Sequence, residues 1–222
     1  MSGVRDFLKI NKDSKIFAIG DIHGCIDSLE SLLAILPVKW GKDFVIFLGD
    51  YIDRGPNPRK VIEKVIELKN KFPDRVFTLK GNHEQMFERF LLGYDISTFL
   101  YNGGSATLRC YYTKGMLEIP GEHLKFLKEL KLIIETEEYI FVHGGINPEK
   151  PLEEQTEDDV LWIRGSFYHY PGRFEKTVVF GHTPFSEPFV KEDRIGIDTG
   201  CVYGGKLTAV MLPDREFFQV NC

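Results

Sequence analysis

The sequence predicts one layered α/β domain, a central β-sandwich flanked by helices, and three patterns point to it. Short runs rich in Val, Ile and Phe end abruptly in Gly, Asp, Asn or His, and helical periods separate the early runs. Beyond residue 176 the pattern turns mostly to strands. In order, residues 15–19 (KIFAI) run into Gly20-Asp21-Ile22-His23-Gly24, and residues 44–48 (FVIFL) into Gly49-Asp50-Tyr51-Ile52-Asp53-Arg54-Gly55. Residues 76–79 (VFTL) lead to Gly81-Asn82-His83-Glu84, residues 139–142 (YIFV) to His143-Gly144-Gly145, and residues 177–180 (TVVF) to Gly181-His182-Thr183. Uninterrupted apolar runs of this length fit strands buried on both faces.

Between the early strands, Ile26, Leu29, Leu32, Leu33 and Leu36 share one helical face in a segment that stops at Pro37. Val61, Ile62, Val65, Ile66 and Leu68 do the same after Pro58, and a third helix runs from His83 to Leu92, ending at Gly93. Late strands fall at 194–197, 207–212 and 216–220. Strand–helix alternation implies right-handed crossovers, with polar motifs at carboxyl ends of strands, where α/β folds place their sites. Residues 94–121, rich in aromatics and glycine, read as an insertion covering the site edge; loops so placed often carry specificity. No repeat or linker divides the 222 residues, so residues 1–222 form a single domain.

Hydrophobic residues make up 43% and charged residues 27%, enough for a packed core. A formal net charge of −5 argues against a protein that coats nucleic-acid phosphates. No apolar run approaches the roughly 20 residues that span a bilayer. The first fifteen residues break their apolar positions with charges, leaving no signal-peptide core. Cys25, Cys110, Cys201 and Cys222 are scattered, without a CxxC pair, so a reduced cytoplasmic enzyme is the expectation.

Asp21, His23, Asp50, Asn82, His143 and His182 are oxygen and imidazole donors, each at a strand end. A carboxylate such as Asp50 can bridge two divalent cations, and two cations about 3.5–4 Å apart generate hydroxide at neutral pH and clamp an in-line phosphoryl displacement. Absence of cysteine disfavours a closed structural zinc site, and the mixed donors suit Mn²⁺ first, with Fe and Zn²⁺ also fitting. Each motif alone is weak, since Gly-Asp and Gly-Asn are common turns. Their conjunction is not: of six histidines, four (His23, His83, His143, His182) lie in glycine-flanked strand ends.

The set GDIHG (20–24), GDYIDRG (49–55), GNHE (81–84), HGG (143–145) and GHT (181–183) resembles the calcineurin-like metallophosphoesterase superfamily. More narrowly it is similar to phosphoprotein phosphatases, especially compact phage and bacterial serine/threonine phosphatases. The resemblance spans residue 15 to about 212 and implies Asp21, His23 and Asp50 as ligands of one metal, and Asp50, Asn82, His143 and His182 as ligands of the other. It implies His83 as the general acid on the leaving oxygen, and Asp53 as the carboxylate that orients it. It implies Arg54 as a phosphate ligand, with Arg164 as the second; Arg173 lies close in sequence. Asp198-Thr199-Gly200-Cys201 resembles a late motif in a supporting role near the metals. Of the neighbours, Trp162 and Cys25 read as core, Glu84 as a salt bridge or helix cap, and residues 153–159 as a solvated loop.

Three functions compete: a serine/threonine protein phosphatase, a phosphoanhydride hydrolase such as a symmetrical bis(5'-nucleosyl)-tetraphosphatase, and an inactive scaffold for phosphorylated partners. The scaffold is poorest, because no ligand or acid is missing. The resemblance separates the other two. The dinucleotide-cleaving branch usually carries GNHD and lacks the Asp-Arg pair, so Asp53-Arg54 and Glu84 make a phosphorylated protein the expected substrate and a small phosphoester the alternative.

Overall fold

The computed structural model describes residues 5–11 and 13–222; residues 1–4 and 12, part of the amino-terminal stretch read above as lacking an apolar core, lie outside the described residues. The chain begins with β1 (Arg5–Phe7) and β2 (Ile16–Ile19), passes through α1 (Ile26–Ile35) to β3 (Phe44–Phe47), and through α2 (Pro58–Lys71) to β4 (Val76–Thr78). Next come α3 (Asn82–Leu91), α4 (Ile96–Phe99), α5 (Ser105–Tyr111) and the small hairpin β5 (Tyr112–Thr113) and β6 (Met116–Leu117). Helix α6 (Gly121–Glu129) leads to β7 (Ile133–Glu135) and β8 (Tyr139–Val142), then α7 (Glu157–Trp162) and α8 (Gly165–Tyr168). The chain closes with β9 (Thr177–Phe180), β10 (Phe189–Val190), β11 (Arg194–Gly196), β12 (Asp198–Thr199), β13 (Lys206–Leu212) and β14 (Glu216–Asn221).

Two sheets stack. One runs β1-β7-β8-β9-β11-β10; the other runs β4-β3-β2-β13-β14, with β12 beside β2 on the same edge of β13. The apolar runs are continuous because each strand face has its own partner. On β2, Ile16 and Ala18 join a core with Phe141, Val179 and Ile195 of the opposing sheet. Phe17 and Ile19, on the other face, join Leu29, Leu32, Val61 and Val65 of α1 and α2. Across the molecule, Val142, Val178 and Phe180 pack with Val160, Leu161 and Phe167 from α7 and α8. Burial of each such side chain stabilises by roughly 1.5–3 kcal/mol, so the sequence specifies four layers rather than two. Among the described residues, no helix is long and apolar enough to cross a membrane.

The structure corrects three expectations. Cys201 and Cys222, expected as reduced thiols, form a disulfide. The antiparallel β13–β14 pairing returns the chain end to the turn after β12, a closure 21 residues long that spacing alone does not announce. Cys25 and Cys110 are free, and Cys25 is half-buried rather than core. Within residues 153–159, expected as a solvated loop, a capping box starts α7: the Thr156 hydroxyl accepts from Asp159 N–H, and the Asp159 carboxylate accepts from Thr156 N–H at 2.9 Å.

Candidate metal centre and its rim

Strands β2, β3 and β4 are parallel, as are β8 and β9, so the loops leaving their carboxyl ends gather at one edge of the sandwich. Asp21, His23, Asp50, Asn82, His83, His143 and His182 meet there, all buried. Glycine precedes Asn82 and His182 for a steric reason: a Cβ on Gly81 would collide with the Asp50 carboxylate, and one on Gly181 with that of Asp21. Eight described non-glycine residues have positive φ, and five of them are His23 (47°), Asp50 (52°), Asp53 (69°), Arg54 (65°) and His182 (63°). Each such conformation costs about 1–3 kcal/mol, a cost concentrated here to aim side chains inward.

Two trios of donor atoms, each mutually within 4.8 Å, overlap at one residue: His23, Asp50 and His83, and Asp50, His143 and His182. The shared residue is Asp50. The Asn82 Oδ1 atom lies 3.0 Å from His143 Nε2 and 2.9 Å from His182 Nδ1. Asp21, expected beside His23, is held by the His182 N–H, which donates to its two carboxylate oxygens at 3.1 and 3.0 Å. The Nδ1–H of His23 donates to Ile52 O at 2.8 Å, and that of His143 to Leu48 O at 2.9 Å, which turns both Nε2 lone pairs toward the centre, where that of His23 meets Arg54 Nη1.

Burial lowers the pKa of all three imidazoles, His23 to about 3 and His182 well below its usual value, so they are neutral donors. Burial pushes up Asp21, with Asp198 and Asp50 adding repulsion, and raises Asp198 to about 6 and Glu84 to about 8. His182 Nε2 is buried without a hydrogen-bond partner. Neutral imidazoles, crowded buried carboxyls and this orphan nitrogen form a donor set that divalent cations complete. The residues fit the dinuclear centre of the resembling family.

Beside the donors lies a second assembly. His83 Nδ1 is 2.6 Å from Asp53 Oδ2, and the Thr107 hydroxyl donates to Asp53 Oδ1 at 2.5 Å while accepting from Asp53 N–H at 2.9 Å. With Nδ1–H engaged by Asp53, the His83 Nε2 atom is the one free for a substrate. The Glu84 carboxylate accepts from the N–H groups of Gly81 (2.8 Å), Asp50 (2.9 Å) and Tyr51 (2.9 Å), capping α3 and pinning the loop that carries Asp50. Sequence reasoning read Glu84 as a salt bridge or helix cap and as a mark of the substrate class, and it missed Thr107, 54 residues from its partner, for which no local signal exists.

The rim is looser. Arg54 is half-buried, its Nη1 2.7 Å from His23 Nε2, its guanidinium 5.5 Å from the Tyr203 ring, and its N–H donating to Gly103 O at 3.2 Å. Arg164 donates to the Thr183 hydroxyl at 3.4 Å, next to His182, whereas Arg173 pairs with Glu192 on the surface. Trp162, expected in the core, is 36% exposed; its indole N–H donates to Gln85 at 2.7 Å, and its ring meets His182 edge-on.

Residues 14–216 match the family model described as calcineurin-like phosphoesterase. An asymmetrical bis(5'-nucleosyl)-tetraphosphatase, PrpE of Oceanobacillus iheyensis, is 34% identical over 93% of this chain and 92% of its own. A solved structure of a putative diadenosine tetraphosphatase superposes with a TM-score of 0.78 at 26% identity, covering 99% of this chain and 98% of the other. A serine/threonine phosphatase from Saccharomyces cerevisiae superposes with a TM-score of 0.74 at 16% identity, covering 98% of this chain and 82% of the other, a likeness of fold alone.

Proposed function

The chain belongs to the calcineurin-like phosphoesterases, and from that premise we propose that it hydrolyses the phosphoanhydride chain of dinucleoside tetraphosphates. The carrying observation is similarity along nearly the whole length to a relative named for that reaction. That relative's name specifies asymmetrical cleavage, so the expected products are a nucleoside triphosphate and a nucleoside monophosphate. The sequence alternative of a dinucleotide substrate thereby moves ahead of the phosphoprotein. Glu84, which had favoured a phosphoprotein, is engaged by backbone N–H groups, a supporting role compatible with either substrate.

Asp21, His23, Asp50, Asn82, His143 and His182 would hold two cations, with Asp50 shared, and Mn²⁺ is the proposed metal. When bound, the cations supply Lewis-acid charge and lower the pKa of water. Arg54 and Arg164 hold non-bridging phosphate oxygens with their forked donors. His83 delivers a proton from Nε2 to the departing oxygen, and Asp53, fixed by Thr107, keeps Nδ1–H in place and stabilises the imidazolium charge beforehand. Thr107 and Gly103 come from residues 94–121, and their contacts with Asp53 and Arg54 support the reading of that insertion as a cover over the site edge.

The His83–Asp53 pair also favours a second reading, since strong general-acid help is what a serine alkoxide leaving group needs. Rates on diadenosine tetraphosphate, a phosphoserine peptide and a phosphotyrosine peptide, measured side by side with Mn²⁺, separate the two. We expect the dinucleotide to be the best substrate by kcat/KM, yielding ATP and AMP by chromatography. Two ADP as product would make cleavage symmetrical, and a superior phosphopeptide would return the protein-phosphatase reading.

A further inference from the structure

Most large exposed side chains need no explanation, but Tyr203 has an unusual setting. Its ring is 64% exposed, yet the turn beneath it is tightly tied. Gly200 (φ 69°) and Gly204 (φ 83°) bound that turn. Tyr203 N–H donates to Gly200 O at 2.9 Å, Gly204 N–H to Cys201 O at 3.0 Å, and Gly205 N–H to Gly200 O at 3.0 Å. The Cys201–Cys222 disulfide and a Cys222 N–H bond to Gly205 O at 3.1 Å fasten it to β14. Such ties hold an exposed aromatic ring at a defined place on the rim.

That place is beside Arg54, whose guanidinium lies 5.5 Å from the ring centroid and has no carboxylate partner among the described residues. With Nη1 engaged by His23 Nε2 at 2.7 Å, the remaining guanidinium donors next to the buried donor cluster are suited to a phosphate oxygen. A cavity of about 630 Å³ is lined by Arg54, Gly55, Ser28 and Asn221 and by Val202 and Gly204, the chain neighbours of Tyr203, so it opens beside the ring rather than beneath it. Tyr94 and Tyr101 are at least as exposed, at 68% and 92%, but among the described residues no cation lies over either ring.

We propose that Tyr203 is a stacking platform for a nucleobase of the substrate, engaged when a phosphate of the same nucleotide rests on Arg54. The inference deepens the dinucleotide reading and rests on it. Stacking on an aromatic ring accepts any base, because every base has a π-face, and it gives a nucleotide an advantage over a bare polyphosphate of equal charge. Tyr203 is thus a specificity-determining residue rather than a catalytic one.

The test compares inhibition of p-nitrophenyl phosphate hydrolysis by ATP and by inorganic tripolyphosphate. Taking the ratio of the two inhibition constants cancels any change at Arg54 that affects both. Tyr203→Ala and Tyr203→Leu should lower the advantage of ATP about five- to tenfold, whereas Tyr203→Phe should retain it within about twofold. Phe7→Ala, a comparably exposed aromatic on β1, should leave the ratio unchanged. Thermal midpoints equal to that of the unaltered protein verify the fold of each variant. An unchanged ratio in both Tyr203→Ala and Tyr203→Leu overturns the platform, while diadenosine tetraphosphate hydrolysis by the unaltered protein keeps the functional reading standing. No hydrolysis of that dinucleotide by the unaltered protein overturns the functional reading, and the platform with it.

Discussion

The centre and the rim of this site are built on opposite principles. At the centre, Asp21, His23, Asp50, Asn82, His83 and His143 are buried and each is fixed by hydrogen bonds to backbone or to one another. At the rim, Arg54 and Arg164 reach in from partly or fully exposed positions, and Tyr203 and Trp162 present rings to solvent. A buried polar group left without partners costs about 1–3 kcal/mol, so the centre tolerates one arrangement only. The exposed side chains of the rim can vary without unfolding the domain. The difference teaches that the centre is fixed by its own packing and hydrogen bonds, while the rim is where side chains can change without disturbing it.

The largest expected effect breaks the centre itself. Asp50→Asn keeps the shape of the shared residue but removes its charge, and should cut p-nitrophenyl phosphate hydrolysis by about 10³-fold or more while lowering metal content in elemental analysis. Two metals per chain with normal turnover would show that Asp50 is not shared. A smaller effect should appear where centre meets substrate. His83→Asn should cost about 10²-fold or more on a phosphoserine peptide, where the leaving alkoxide is strongly basic, and much less on diadenosine tetraphosphate, with metals retained. Equal losses on the two would remove the proton-donor role, and lost metal would make His83 a ligand, as its membership of a donor trio allows. The smallest effect belongs to the rim. Arg54→Ala should reduce kcat/KM by about 10- to 100-fold on both substrates alike, the scale of a charge-assisted hydrogen bond to a common phosphate. A loss confined to one substrate would move Arg54 from phosphate binding to substrate choice.

Much of the centre was legible in the chain because its signals are local. Five apolar runs each end in glycine and a donor, and donor identity, order and strand-end position are written within a few residues. The helices starting near residues 26, 58 and 82 were equally plain, since apolar period and proline or glycine stops are short-range features. Strands β1 and β7 and helix α6 carried weaker signals: β1 and β7 are only three residues long, and α6 gains its partners from the core above β4. Trp162 read as core because composition cannot tell a buried indole from one seated edge-on against a histidine at the rim.

By itself, then, the sequence determined the sandwich, its flanking helices and the donor inventory, because hydrophobic period and turn chemistry act over spans of a few residues. Only the tertiary structure decided that His83 joins His23 and Asp50 in one cluster of donor atoms, that Thr107 fixes Asp53, and that the Asp21 carboxylate receives a hydrogen bond from a residue 161 positions away. It also decided that Arg164 rather than Arg173 turns toward the centre, that Cys201 meets Cys222, and that Tyr203 stands beside Arg54. Each of these depends on how two sheets stack and where their loops converge, a geometry set by the packing of faces that no local stretch of sequence contains.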